Sequence, residues 1–305
     1  MAVGPGRPTM RLLVSSMSAG GRALRVGPSL VAALRGGGWD VEVVVTTAGD
    51  DPASMVDPGA DAVGALGGDG FLAAVAQGCH DRGAVLAPMP GGRGNDLCRA
   101  LGVGADPLRR AWGLAPLGSD RGVIDGAVRA IDGMWVHGDG GSRRLAMGIV
   151  SLGLDARANL LANRSALSNG PLAYAYGAFA ALVTHRPAPI RARVDGEVRD
   201  LSGWIASVSN SGLFGGGIAL VPGADMRDGV LEVCHVGPIP TRSALPVLAR
   251  VVAGRAARDP RIRVSGARMV EFLEPRGMTA MADGDVVATV PFAVGAAPGA
   301  VRVLV

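Results

Sequence analysis

Read from its amino terminus, the chain first alternates short apolar runs with stretches of helical spacing. Arg11–Ser15, Val41–Thr46, Ala62–Leu66 and Ala84–Ala87 are too short for helices and read as buried strands, with helices in the intervals. This β-α-β-α order predicts a parallel sheet covered by helices, whose ligands bind beyond the carboxyl ends of the strands. Past residue 120 the rhythm changes. Val123–Ile131, Ile190–Val194, Trp204–Ser209 and Val230–Val236 read as mainly antiparallel strands, interrupted by helical candidates at Asp155–Ala166, Pro171–Thr184 and Arg242–Ala253. The boundary falls at residue 122, which predicts an α/β domain over 1–122 and a β-rich, sandwich-like domain with helices over 123–305. A chain of 305 residues is long enough for two cores.

Composition narrows the chemistry. All 30 basic residues are arginine, so every mechanism that needs a lysine is excluded: a Walker A phosphate loop, a pyridoxal Schiff base and the strand lysine of protein kinases. Any phosphate must be held by backbone amides, arginine or metal ions. The net charge of +4 suits an anionic ligand or membrane surface, and the absence of a dense basic run argues against nucleic acid. Cys79, Cys98 and Cys234 are odd in number and lack C-x-x-C spacing, which suggests neither a disulfide framework nor a zinc site and points to a reducing cytoplasm. Residues 1–10 lack a signal-peptide core, and every apolar run is interrupted before spanning length, so a soluble chain is expected. His80, His137, His185 and His235 are scattered, and no G-x-S-x-G elbow occurs.

Two glycine turns lie at the predicted strand ends. Gly67-Gly68-Asp69-Gly70 follows the third strand and opens a helix at Phe71; Pro90-Gly91-Gly92-Arg93-Gly94-Asn95-Asp96 follows the fourth and opens Leu97–Leu101. Glycine lets the backbone turn sharply and brings amides close to phosphate oxygens, while the helix start adds partial positive charge. Asp69 would repel phosphate unless it binds Mg²⁺ or orients a hydroxyl. Arg93 adds charge, and Asn95 could cap the helix or bind nucleotide. Either turn alone is equally a strand-to-helix connection capped by Asn95 or Asp96. Gly68-x-Gly70-x-x-Ala73 also fits a loose dinucleotide fingerprint, but Pro88–Pro90 stands where the ribose-binding acid is expected.

Together, GGDGFLAAV and PMPGGRGNDLCRALGV resemble the GGDGT and GTGND region of the diacylglycerol, sphingosine and ceramide kinase superfamily. Further pieces follow in the family's order: Ser151–Ala156, Gly170–Tyr176, Asn210–Gly217, Pro222 to Leu231 and Asp283-Gly284-Asp285. The resemblance implies a Rossmann-like ATP-binding domain, a second antiparallel β domain, and a lipid hydroxyl entering the cleft between them. It implies ATP and Mg²⁺ as cofactors, and a cytoplasmic enzyme that meets its lipid transiently at the membrane surface. A homodimer is compatible with such a chain.

By the same resemblance, Ser16, Ser18 and Gly20 occupy the family's Asn-Pro-x-x-Gly nucleotide loop, with Ser16 and Met17 replacing Asn and Pro. Thr46 stands where a threonine contacts nucleotide. Gly67, Gly68, Asp69, Gly70, Gly92, Arg93, Gly94, Asn95 and Asp96 form the phosphate turns, Asp69 counting also as catalytic. Asp285 stands for the family's glutamate, the proton acceptor for the lipid hydroxyl; Asp283-Gly284 is equally a hairpin-turn signal. Asp225, Asp228 and the Val230 carbonyl match a loop that binds a structural Mg²⁺ in some relatives. Phe71, Ala74 and Arg93 depart from the family pattern beside or near the nucleotide. Leu172–Val183 reads as a helix covering the second sheet or lining an acyl channel, and Arg258, Arg261, Arg263 and Arg268 as an edge strand or a lipid-headgroup patch. The rival functions are a soluble-substrate kinase like the NAD kinases and a non-catalytic nucleotide or lipid sensor.

Overall fold

A computed structural model describes residues 7–138, 141–154, 156–157, 186–252, 255 and 259–305. It divides the chain into two compact units, Met1–Ile131 with Ala300–Val305, and Asp132–Gly299. The helices expected at 155–166 and 171–184, the motif at 170–176 and Arg258 lie largely or wholly outside the described residues.

The first unit carries parallel strands β1 (Thr9–Ser15), β2 (Asp40–Thr46), β3 (Ala62–Gly67) and β4 (Val85–Pro90), in the order β2-β1-β3-β4. Every residue of β3 and β4 is buried, which explains why they read as continuous apolar runs. Their side chains alternate between two faces. Leu66, Ala87 and Met89 join one cluster with Leu30 and Leu34 of α1 (Arg22–Gly36), Ala111 and Leu114 of α4 (Pro107–Leu114) and Ile124 of α5 (Arg121–Ala127). Val63, Ala65 and Leu86 are buried outside that cluster, and α2 (Asp69–Arg82) packs on β3 and β4 with Leu72 and Val75 fully buried. Each such aliphatic side chain contributes about 1.5–3 kcal/mol on burial.

Helix α5 corrects one expectation. Residues 123–131 were expected as a strand, but the Asp120 carboxylate accepts a hydrogen bond from the Gly122 amide at 2.7 Å and starts a helix over Arg121–Ala127. β5 (Val128–His137) begins only after it. The boundary expected at 122 therefore falls inside α5, upstream of the division between Ile131 and Asp132. The guanidinium of buried Arg110 donates to the Pro88 and Leu304 carbonyls, tying the last residues of the chain to β4.

The second unit is antiparallel. One sheet runs β14 (Ile262–Ala267), β13 (Leu231–Val236), β10 (Ile205–Ser209), β7 (Ile149–Gly153), β16 (Thr279–Ala282), β17 (Asp285–Thr289). Another group pairs the start of β18 (Phe292–Leu304) with β15 (Met269–Glu274), then β8 (Arg191–Val194) and β9 (Glu197–Asp200). β5 forms a hairpin with β6 (Arg143–Ala146), and β11 (Leu213–Phe214) pairs with β12 (Ile218–Ala219). Val150, Val208, Val233, Val270, Phe272 and Val294 share one core. Helix α6 (Thr241–Val252) packs Ala244 and Val247 against Trp204 and Val236. β14 is an edge strand with a solvated run, as the alternating Arg261-Ile262-Arg263-Val264 suggested. Arg261 is committed to Asp259, whose carboxylate its hydrogen bonds and Arg250 hold well below the usual range.

Candidate active site

In the first unit all four strands point the same way, so Ser15, Thr46, Gly67 and Pro90 end at one edge of the sheet. Gly67 pairs with Pro90, and the Gly91 amide donates to the Gly67 carbonyl at 2.8 Å. The two turns then run against each other as bare backbone. A Cβ on Gly92 would lie 2.4 Å from the Gly68 Cα, and one on Gly91 would lie 2.9 Å from the Gly67 nitrogen. Only glycine fits these positions. Phe71 packs its ring over Gly67, whose Cβ would meet it at 2.4 Å.

Side chains lock the turns from three directions. Ser18, in the short helix Ser18–Gly20, accepts from the Gly68 amide at 3.0 Å. Asn95 is 2% exposed with φ 55°, and it grips the Gly92 peptide: Oδ1 accepts from the Gly92 amide at 2.8 Å and Nδ2 donates to its carbonyl at 3.2 Å. It stands at the N-terminal cap of α3 (Asp96–Ala100) but makes no side-chain capping bond there. That bond comes from Asp69, whose Oδ1 accepts from the Leu97 amide at 3.1 Å. Asp69 thus fastens α2 to α3, a role no local pattern announces, because its partner lies 28 residues on.

The remaining expected positions divide. Gly70 lies in the first turn of α2 and Gly94 beside Asn95, Asp96 is buried at the start of α3, and Arg93 is exposed. Gly20 has φ 62° and closes the early loop. Ser16 and Thr46 serve backbone instead: the Ser16 amide donates to the Thr46 carbonyl at 3.2 Å, and the buried Thr46 hydroxyl to the Val14 carbonyl at 3.4 Å. Two arginines that sequence reasoning passed over also serve the second turn. Arg99 Nε donates to the Gly94 carbonyl at 3.2 Å, and exposed Arg22 reaches the Gly92 carbonyl at 3.5 Å. Cys98, packed below, is no nucleophile: burial pushes its thiol up to about 12, with Asp69 adding to the rise.

In the second unit the Asp283-Gly284 signal is a hairpin turn. Asp283 has φ 51° and Gly284 φ 92°, Ala282 pairs with Asp285, and β17 starts at Asp285. The two carboxylates differ sharply. Asp285 is exposed and accepts from Arg144 Nη2 of β6 at 2.9 Å. Both side chains remain substantially exposed, so the pair contributes about 0–1 kcal/mol to stability. Asp283 takes two backbone amides, Met147 at 3.0 Å and Gly148 at 2.9 Å. Burial pushes its pKa up to about 6 against the opposing effect of those bonds and of Arg144.

The candidate cation loop is less converged. Asp228 accepts from the Val230 amide at 2.9 Å and Asp225 pairs with Arg227 at 3.4 Å, both being exposed. Among the described residues no three His, Cys, Asp or Glu side chains gather into a ligand set. Glu232 nevertheless has a buried Oε2 without a hydrogen-bond partner, and burial followed by the charges of Asp228 and Asp225 raises its pKa to about 7. Hard oxygen donors of this type fit a magnesium-like cation in kind.

Two family models match successive parts of the chain. Residues 9–117 match the diacylglycerol kinase catalytic domain and residues 148–305 the YegS C-terminal NAD kinase beta sandwich-like domain. A diacylglycerol kinase of Mycobacterium tuberculosis (strain ATCC 25618 / H37Rv) is 28% identical over 299 residues, spanning 96% of this chain and 93% of that protein. A protein of Stenotrophomonas maltophilia (strain K279a), named as a YegS-like lipid kinase, is 30% identical over 310 residues, spanning 97% and 95%. The crystal structure of a diacylglycerol kinase from Bacillus anthracis shares the fold with a TM-score of 0.75 at 17% identity, covering 98% of this chain and 96% of that one.

Proposed function

The chain belongs to the diacylglycerol kinase family, its second half carrying the YegS-type C-terminal domain, and from that premise we propose that it transfers the γ-phosphate of ATP to a lipid hydroxyl, with diacylglycerol the favoured acceptor. The observation that carries this reading is the contact of Gly68 on Gly92. Two strand-to-helix turns pressed backbone to backbone, and locked by Ser18, Asn95 and Asp69, form a rigid surface of peptide groups. That is the phosphate holder a chain without lysine needs.

In this reading the turn amides and Arg93 bind the phosphates, while Asp69 holds the two helix starts in place and would be the carboxylate available to the Mg²⁺ that accompanies ATP. Magnesium supplies charge neutralisation on the phosphate oxygens. Asp225, Asp228 and the Val230 carbonyl would hold a second, structural Mg²⁺, which would supply positive charge near the buried Glu232 carboxylate. Asp285 accepts the proton of the lipid hydroxyl as its oxygen bonds to the γ-phosphorus; the bond to the bridging β–γ oxygen breaks and ADP leaves. Arg144 keeps that carboxylate oriented. The lipid is met at the membrane surface; among the described residues no helix is long and apolar enough to cross a membrane.

Incubating the purified chain with labelled ATP, Mg²⁺, a panel of lipids and NAD tests the proposal. Labelled lipid, lost in Asp69→Asn and in Asp285→Asn, supports it. Labelled NAD makes the chain a soluble-substrate kinase, and bound ATP without transfer makes it a sensor.

A further inference from the structure

We propose that Asp283 is a positioning residue for Asp285, locking the β16–β17 turn onto the Met147–Gly148 backbone so that the neighbouring carboxylate stays on Arg144. The inference rests on the reading of Asp285 as proton acceptor. Its geometry is independent of that reading. Asp283 accepts from Met147 and Gly148 with separate oxygens, so its carboxylate spans two successive amides. The same two residues are gripped elsewhere by Asn210, which is 1% exposed. Its amide donates to the Gly148 carbonyl at 3.0 Å, and its Nδ2 to the Met147 carbonyl at 3.1 Å. A Cβ at Gly148 would lie 2.7 Å from Asp283 Oδ1, so an added methyl there would have to push that carboxylate oxygen aside.

A turn alone does not require this. Asn-Gly forms the same type of hairpin without burying a charge, and burying a carboxylate costs stability. Here a half-buried carboxylate that meets two successive amides stands two residues before an exposed one. Arg144 of β6 and Asp285 of β17 are the charged groups that act on Asp283, together with the Met147 and Gly148 amides. Above about pH 6 the ionised Asp283 accepts with both oxygens; below it, the protonated oxygen stops accepting and the turn is held by one bond. Losing that bond loosens the position of Asp285 relative to Arg144. Small displacements of a reacting group lower turnover without touching nucleotide binding elsewhere.

Asp283→Asn tests the lock, since asparagine keeps the size, tolerates the positive φ and replaces one acceptor by a donor. The full chain is assayed with labelled ATP and diacylglycerol in mixed micelles across pH. We expect kcat to fall about tenfold to hundredfold, KM for ATP to stay within about twofold, and the acid limb of kcat to move to lower pH. Wild-type kcat with an unmoved acid limb overturns the proposal, and so does a parallel loss of ATP binding and melting temperature, which would make Asp283 a fold residue only. Arg144→Gln leaves the buried turn intact and should lower kcat at unchanged melting temperature, Arg144→Lys restoring part of it; full activity in Arg144→Gln overturns the placement of Asp285. Hydrogen exchange separates the lock from the kinase reading. Faster exchange of the Met147 and Gly148 amides in Asp283→Asn is expected whatever the acceptor, and unchanged exchange defeats the lock. A wild-type chain that labels no lipid defeats the kinase reading instead.

Discussion

Between Gly67 and Asn95 the contacts that build the candidate site are peptide against peptide, whereas between Arg144 and Asp285 they are charge against charge. The first region has almost no tolerance for volume and little dependence on ionisation: its locking groups are a hydroxyl, a carboxamide and one carboxylate, each bonded to a backbone amide. The second has solvent around Asp285 and room for a substitution, and in the proposed reading it responds to the protonation of Asp283. The proposed function places binding on rigid backbone and proton transfer on tunable side chains. Each can then be damaged without the other.

Gly92→Ala should break the comparison most severely on the nucleotide side. Its Cβ has no space beside Gly68, so the two turns must separate, and we expect ATP affinity measured by calorimetry to fall by more than about a hundredfold, with destabilisation of about 1–3 kcal/mol. Asp285→Asn sharpens it from the other side: kcat for lipid phosphorylation falls about a hundredfold while ATP affinity is unchanged. A smaller effect is expected at Glu232, whose pKa of about 7 in the folded chain lies above its ordinary 4.5. Its raised pKa means the native state binds the proton more tightly, so the stability it contributes is present at low pH and is lost as pH rises through about 7. Thermal melts of Glu232→Gln should therefore decline less across that window, and added Mg²⁺ should offset the wild-type decline if the loop binds it. The smallest effect is expected of Gly113→Ala on α4, where nothing lies within 4 Å of the new methyl; denaturant unfolding should show a gain of about 0.5–1 kcal/mol and no change in activity.

The parts legible in the sequence were those set by local chemistry. β3 and β4 are buried on both faces, so their apolar runs marked them, and the glycines after them marked the turns. Asp283-Gly284 announced a hairpin and is one. Residues 123–131 misled because apolar Val123, Ile124 and Val128 fit a strand, while Asp120 caps a helix that takes the first five of those positions. What stayed hidden is long-range. Ser18 meets Gly68 across 50 residues, Asp69 meets Leu97 across 28, and Arg144 meets Asp285 across 141. Arg144 carried no signal in the sequence, and Asn95 read as a helix cap or a nucleotide contact, whereas its side chain holds a glycine peptide.

The claim that supports the rest is that a chain without lysine grips a triphosphate on two interlocked glycine turns. Titrating Mg·ATP into the wild-type protein by calorimetry, with Gly92→Ala in parallel, tests it most directly. The account predicts saturable binding at one nucleotide per chain, weakened by more than about a hundredfold by the added methyl; heat of binding that is absent in wild type, or equal in the two proteins, contradicts it.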